Sequence, residues 1–226
     1  MFKSALALRI NAGVYRSLTH SPHTGRMKRL IPFALAGLVA ALPAHAGDVA
    51  VRVVDTAGKP VADAVVTIHP SAGVRGPFRF PWGTAMVQKD IAFNPHVLIV
   101  PVGATVSFPN QDKVRHHVYS FSKPARFELK LFGKDQSRSY TFKTAGSVAL
   151  GCNIHDAMSG FIKVVDTPFA DKTDANGTTR LEGVTAGGGT ITVWHPRMRG
   201  KDNEVSFPIE MPATGNIARR IQIVLR

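Results

Sequence analysis

Past residue 46 the chain shows no sustained helical period. Apolar positions gather instead in short runs rich in Val, Ile, Thr and Phe, at residues 49–54, 65–69, 97–102, 105–108, 117–121, 139–142, 147–150, 161–165, 190–194 and 221–225. Each run is bounded by Gly, Pro, Asn or Asp, residues that end strands and build turns. Many short strands separated by such signals predict an all-β sandwich protein. Between the runs at 117–121 and 139–142 lies a basic stretch that reads as a long excursion rather than a strand.

The first 46 residues differ from the rest. They hold six of the 28 basic residues and none of the 15 acidic ones. Met27-Lys28-Arg29, an apolar run over 30–42 and then Pro43-Ala44-His45-Ala46 supply the basic start, apolar centre and Ala-x-Ala site of a secretory signal. The signal proper is therefore expected over 27–46, with residues 1–26 preceding it as an extension. A membrane anchor is the competing reading. The run is shorter than the roughly 20 residues a spanning helix needs, and Pro32, Gly37 and Pro43 interrupt it, so cleavage before Gly47 is expected. That implies a periplasmic or secreted protein with no membrane span in the mature chain. The mature part retains 22 basic against 15 acidic residues, a net charge of +7.

Cys152 is the sole cysteine. No disulfide can form within the chain, and an unpaired thiol in an oxidising compartment survives only if buried or metallated. Its neighbourhood, Gly151-Cys152-Asn153-Ile154-His155-Asp156-Ala157-Met158, puts a thiolate, an imidazole and a thioether on one tight loop. Singly, each residue is more often core filler than ligand. Together they form a soft donor set that suits copper and lacks only a second histidine. The strand-like segment Arg115-His116-His117-Val118-Tyr119-Ser120 offers two. Adjacent strand residues face opposite ways, so only one of His116 and His117 can reach a shared metal. A set of two His, one Cys and a long axial Met is that of a blue-copper centre.

Two resemblances organise the chain. Residues 93–108, which include Phe93-Asn94-Pro95-His96 and Pro101-Val102-Gly103-Ala104, resemble the opening strands of the cupredoxins. Residues 145–165 resemble their copper loop and last strand, with a loop spacing similar to that of amicyanin and shorter between His and Met than in plastocyanin. This likeness covers residues 91–165. It implies a Greek-key sandwich with one mononuclear type 1 copper, held equatorially by His116, Cys152 and His155 and axially by Met158. His116 precedes a polar residue and then Val, as the family ligand does, with His117 in the usual Asn position. Gly151, Asn153 and Ile154 are expected to set the loop's hydrogen bonds and an apolar shell around the sulfur. Asp156 is expected to be a solvated loop carboxylate.

The flanks resemble something else. Residues 51–68, with Asp55-Thr56-Ala57-Gly58-Lys59-Pro60, are similar to the first strands of a transthyretin-like, carboxypeptidase-regulatory sandwich. The segment that would follow in that family is similar to Thr173-Asp174-Ala175-Asn176-Gly177 and comes only after the cupredoxin-like stretch. The expected organisation is a sandwich made of 47–73 plus 169–226 with a cupredoxin domain, 74–168, inserted in it or lying adjacent. Insertion further predicts that 49–54 and 190–194 share a sheet. The whole chain also resembles exported cupredoxin-domain proteins labelled as methylamine utilisation proteins.

From Asp112 to Lys143 the chain carries Lys113, Arg115, Lys123, Arg126, Lys130, Lys134, Arg138 and Lys143 against Asp112, Glu128 and Asp135. A solvated face is the plain reading. The functional one is a positive field that steers towards an acidic redox partner such as a cytochrome or a dehydrogenase. Nucleic acid is not expected, since no recognition motif accompanies the charge. Enzymatic copper chemistry needs more imidazoles at an open site, and His69, His96 and His195 are scattered without ligand spacing. No serine-nucleophile elbow is present. The resulting expectation is an electron carrier rather than an enzyme, with copper handling or a non-redox binding module as the competing functions.

Overall fold

A computed structural model describes residues 46–226. The expected signal at 27–46 lies outside the described residues, apart from Ala46. The molecule is all-β, and the order of strands is β1 (Ala46–Val54), β2 (Val65–Pro70), β3 (Val87–Lys89), β4 (Ala92–Asn94), β5 (Val97–Pro101), β6 (Thr105–Pro109), β7 (His116–Ser122), β8 (Ala125–Phe132), β9 (Ser137–Thr141), β10 (Gly146–Gly151), β11 (Ser159–Val165), β12 (Ala170–Lys172), β13 (Thr178–Thr185), β14 (Gly187–Trp194), β15 (Glu204–Met211) and β16 (Ile217–Gln222). Among the described residues, no helix is long and apolar enough to cross a membrane.

Strands from the two ends of the described chain interleave. β1 takes β13 on one edge, antiparallel, and β16 on the other, parallel. A second sheet runs β12-β2-β14-β15. Val49, Val51 and Val53 of β1 alternate inward and meet Val66, Ile68, Ile191 and Val193 of the second sheet in one buried cluster, the period-two arrangement of a sheet with one covered face. Residues 49–54 and 190–194 therefore do not share a sheet as expected. Both edges of β1 are already occupied, and the two segments meet face to face instead. The expected strand at 221–225 likewise forms earlier, as β16.

The middle of the chain builds its own core. β5-β11-β10-β7-β8 form a five-stranded sheet and β6-β9 a two-stranded one. Leu98, Val100, Val106, Phe108, Val118, Phe132, Phe142, Val148, Ile162 and Val164 pack together between them. The basic excursion is in fact strand β8. Arg126, Glu128 and Lys130 point out while Phe127 and Leu129 turn towards the core, so its charge sits on the wet face of an ordinary amphipathic strand. A third cluster joins the two assemblies: Val97, Ile99 and Val165 pack on Val65, Ala170 and Trp194.

Candidate metal centre

The hairpin of β10 and β11 pairs Gly151 with Ser159, which leaves residues 152–158 as the loop at its end. The Met158 N–H donates to the His155 carbonyl at 2.9 Å and tightens that loop. β7 lies on the other side of β10, antiparallel, with Tyr119 opposite Gly151. Three residues back along β7, His116 is thereby brought alongside the loop. The Tyr119 ring packs over Gly151, where a Cβ would lie 2.6 Å from its Cζ and make the ring move.

Three side chains converge. The ligand atoms of His116, Cys152 and His155 all lie within 4.8 Å of one another. Sγ of Cys152 is 3.8 Å from Nδ1 of His116, and the two imidazoles sit with ring centroids 5.2 Å apart. His116 is 0% exposed and Cys152 3%. Nδ1 of His155 is buried without a hydrogen-bond partner, an arrangement that costs free energy unless something binds it. A buried thiol beside two imidazole nitrogens, one orphaned, fits a soft metal ion. Met158 is 2% exposed and belongs to the same buried cluster as Cys152.

His117 faces elsewhere. Its Nε2 lies 2.8 Å from Oε1 of Glu128 on β8, and its ring packs 5.9 Å from that of Tyr119, two residues on and hence on the same face. The ammonium of Lys130 and then the imidazole of His117 hold the Glu128 carboxyl below its ordinary range. The remaining histidines among the described residues lie outside the cluster. His69 pairs with Asp166 at 2.7 Å, His96 meets Phe161 edge-on, and Nδ1 of His195 accepts from the Arg197 N–H at 3.2 Å. Asp156 is exposed. Ile154, expected in an apolar shell around the sulfur, is instead 52% exposed. Ile154 lies with Asn153 on the exposed side of the loop, and the core residues packed with Cys152 and Met158 supply the apolar surroundings.

Sequence reasoning counted Asp112 only among the acidic residues of the basic stretch. Its Oδ2 lies 2.7 Å from Nε2 of His116. Burial works to raise the Asp112 pKa, but the His116 ring and the amides of Ile91 and Asp90 outweigh it and hold the carboxyl low. The signal available was its place four residues before a candidate ligand. The eight basic residues between 112 and 143 are all exposed. Only Lys130 among them makes an ion pair among the described residues, with Glu128 at 2.9 Å.

No protein-family model matches the chain, and no curated protein matches it. Among solved structures, an oxidised amicyanin variant is similar at 22% identity and a TM-score of 0.35, covering 46% of this chain and 99% of that one. A reduced amicyanin variant is similar at 23% identity with the same coverage and TM-score. A purple cupredoxin from Nitrosopumilus maritimus is similar at 21% identity and a TM-score of 0.32, covering 36% of this chain and 96% of that one.

Proposed function

We propose that this is an exported type 1 copper protein that carries single electrons between redox partners. The observation that carries the reading is the convergence of His116, Cys152 and His155 from two separate parts of the chain into one cluster, the first two buried and His155 half-buried. In this reading those three would hold the metal, and Met158 would add a weaker thioether donor. Bound copper would supply a one-electron couple. The protein's part is to keep the donors fixed and dry: strands β7 and β10 hold His116 and Cys152, and the apolar cluster around the thiol excludes water.

A handling protein would use the same ligands but surrender the metal. The burial of His116 and Cys152 favours retention. The exposed cations of 112–143 favour a redox partner with an acidic docking face, and the signal pattern at 27–46 favours a periplasmic or secreted location. Visible absorption and EPR spectra of the copper-loaded mature protein test the reading. An intense charge-transfer band with a narrow copper hyperfine splitting is expected. The weak spectrum of ordinary nitrogen and oxygen ligation would refute it, and rapid loss of copper to a modest chelator would favour handling over transfer.

Although 49–54 and 190–194 lie in two facing sheets rather than in the one sheet that insertion was expected to give, we also infer that residues 74–168 are a domain inserted into a sandwich made of 47–73 and 169–226, because both of those sheets draw strands from before and after the middle segment. Support comes from the two separate buried clusters, one drawing on both ends of the described chain and the other on its middle.

A further inference from the structure

The β3–β4 hairpin turns through Asp90 and Ile91, with Lys89 opposite Ala92. Both turn residues are left-handed, at φ 56° and 55°. Two positive φ values in a two-residue hairpin are usually met by Asn-Gly, because a β-branched side chain is strained there. Ile91 gains no compensating burial, being 48% exposed. What the conformation does achieve is to aim two amides at one carboxylate. The Asp90 N–H donates to Oδ1 of Asp112 at 2.7 Å and the Ile91 N–H to Oδ2 at 3.1 Å.

The backbone of Asp112 is held as well. Its N–H donates to Oδ1 of Asn110 at 2.9 Å, while Nδ2 of Asn110 donates to the carbonyls of Val114 at 2.9 Å and Phe132 at 3.2 Å. The carboxylate so fixed then takes the Nε2–H of His116. An imidazole whose Nε2 carries the proton has its lone pair on Nδ1, the atom that faces Cys152.

We infer that Asp112, clamped by the amides of the Asp90–Ile91 turn, is a positioning residue that sets the tautomer and orientation of His116 and biases the site towards the oxidised metal. This rests on the copper reading. A carboxylate accepting from a ligand imidazole makes that imidazole a stronger donor, which favours the higher charge state. A purely structural role for the clamp predicts no such bias.

The test uses the full mature protein. Asp112→Asn keeps an acceptor for the turn amides and removes the charge. Loss of such a partner typically weakens metal binding about 10- to 100-fold. A tenfold loss confined to copper(II) raises a one-electron potential by about 59 mV, so voltammetry should show an upward shift of at least that size with the charge-transfer band intact. In the metal-free parent, nitrogen NMR should find the His116 proton on Nε2. An unchanged potential in a blue Asp112→Asn protein, or a proton on Nδ1 in the metal-free parent, would overturn the inference. A parent that never becomes blue would instead sink the copper reading, and the NMR result would still decide the Asp112–His116 relationship.

Discussion

Nδ1 of His116 faces Sγ of Cys152 across 3.8 Å, although 36 residues separate them in the chain. Its neighbour His117 points to the far side of the same strand and holds Glu128. Removing the ring of His116 should therefore open the site, and removing that of His117 should not. His116→Gly is expected to lose the charge-transfer band and recover part of it with added imidazole. His117→Asn should remain blue. Loss of the band in His117→Asn with retention in His116→Gly would reverse the assignment.

Met158 is enclosed in the cluster that surrounds Cys152. If it is the thioether donor proposed above, it should tune the couple. Met158→Gln donates more strongly to copper(II) and should lower the reduction potential, whereas Met158→Leu should raise it. Voltammetry of the two variants checks this, and equal potentials in both would make Met158 a packing residue only.

The loop of this centre was legible because its chemistry is local: Cys152, His155 and Met158 fall within seven residues. His116 was legible only as one of a pair, since the choice between adjacent strand residues depends on pairing with β10. Asp90 and Ile91 were not legible as site residues at all. They reach Asp112 through a hairpin more than 20 residues upstream, and no spacing rule connects them. Strand β8 was missed for a different reason. The alternation of Phe127, Leu129 and Leu131 with Arg126, Glu128 and Lys130 was present, but the charge drew the eye from the period. Long-range pairing also defeated the expected sheet of 49–54 with 190–194, because the partners of β1 begin at Thr178 and Ile217.

His195 titrates at the join between the two assemblies. Burial, then repulsion from Arg197 and His96, lowers its pKa below 6.5 against the opposing pull of Asp63 and an Ala62 hydrogen bond. The folded state thus binds fewer protons than the unfolded one below pH 6.5. Stability from this group is complete above that value and falls as pH drops through the folded pKa. Denaturant midpoints of the metal-free protein should decline from pH 7.5 to 5.0, and His195→Gln should flatten part of that decline. A variant with the parent's slope would remove His195 from the account.

Trp194 is 2% exposed and packs in the cluster that joins the flanking sandwich to the middle of the chain, edge-on to Phe161 at 5.7 Å. Removing a buried Trp side chain costs about 3–5 kcal/mol, and here the cavity would open between two cores rather than inside one. Trp194→Ala should therefore uncouple as well as destabilise. The variant keeps Trp82 as its one tryptophan, which lies in 74–168 and packs against the joining cluster, so fluorescence then follows the middle of the chain and its join while far-UV circular dichroism reports on the whole. In the metal-free parent the two signals should unfold together, and in Trp194→Ala they should separate into two transitions. Coincident curves in the variant, displaced by less than about 1 kcal/mol, would mean that the two cores are not held together through Trp194.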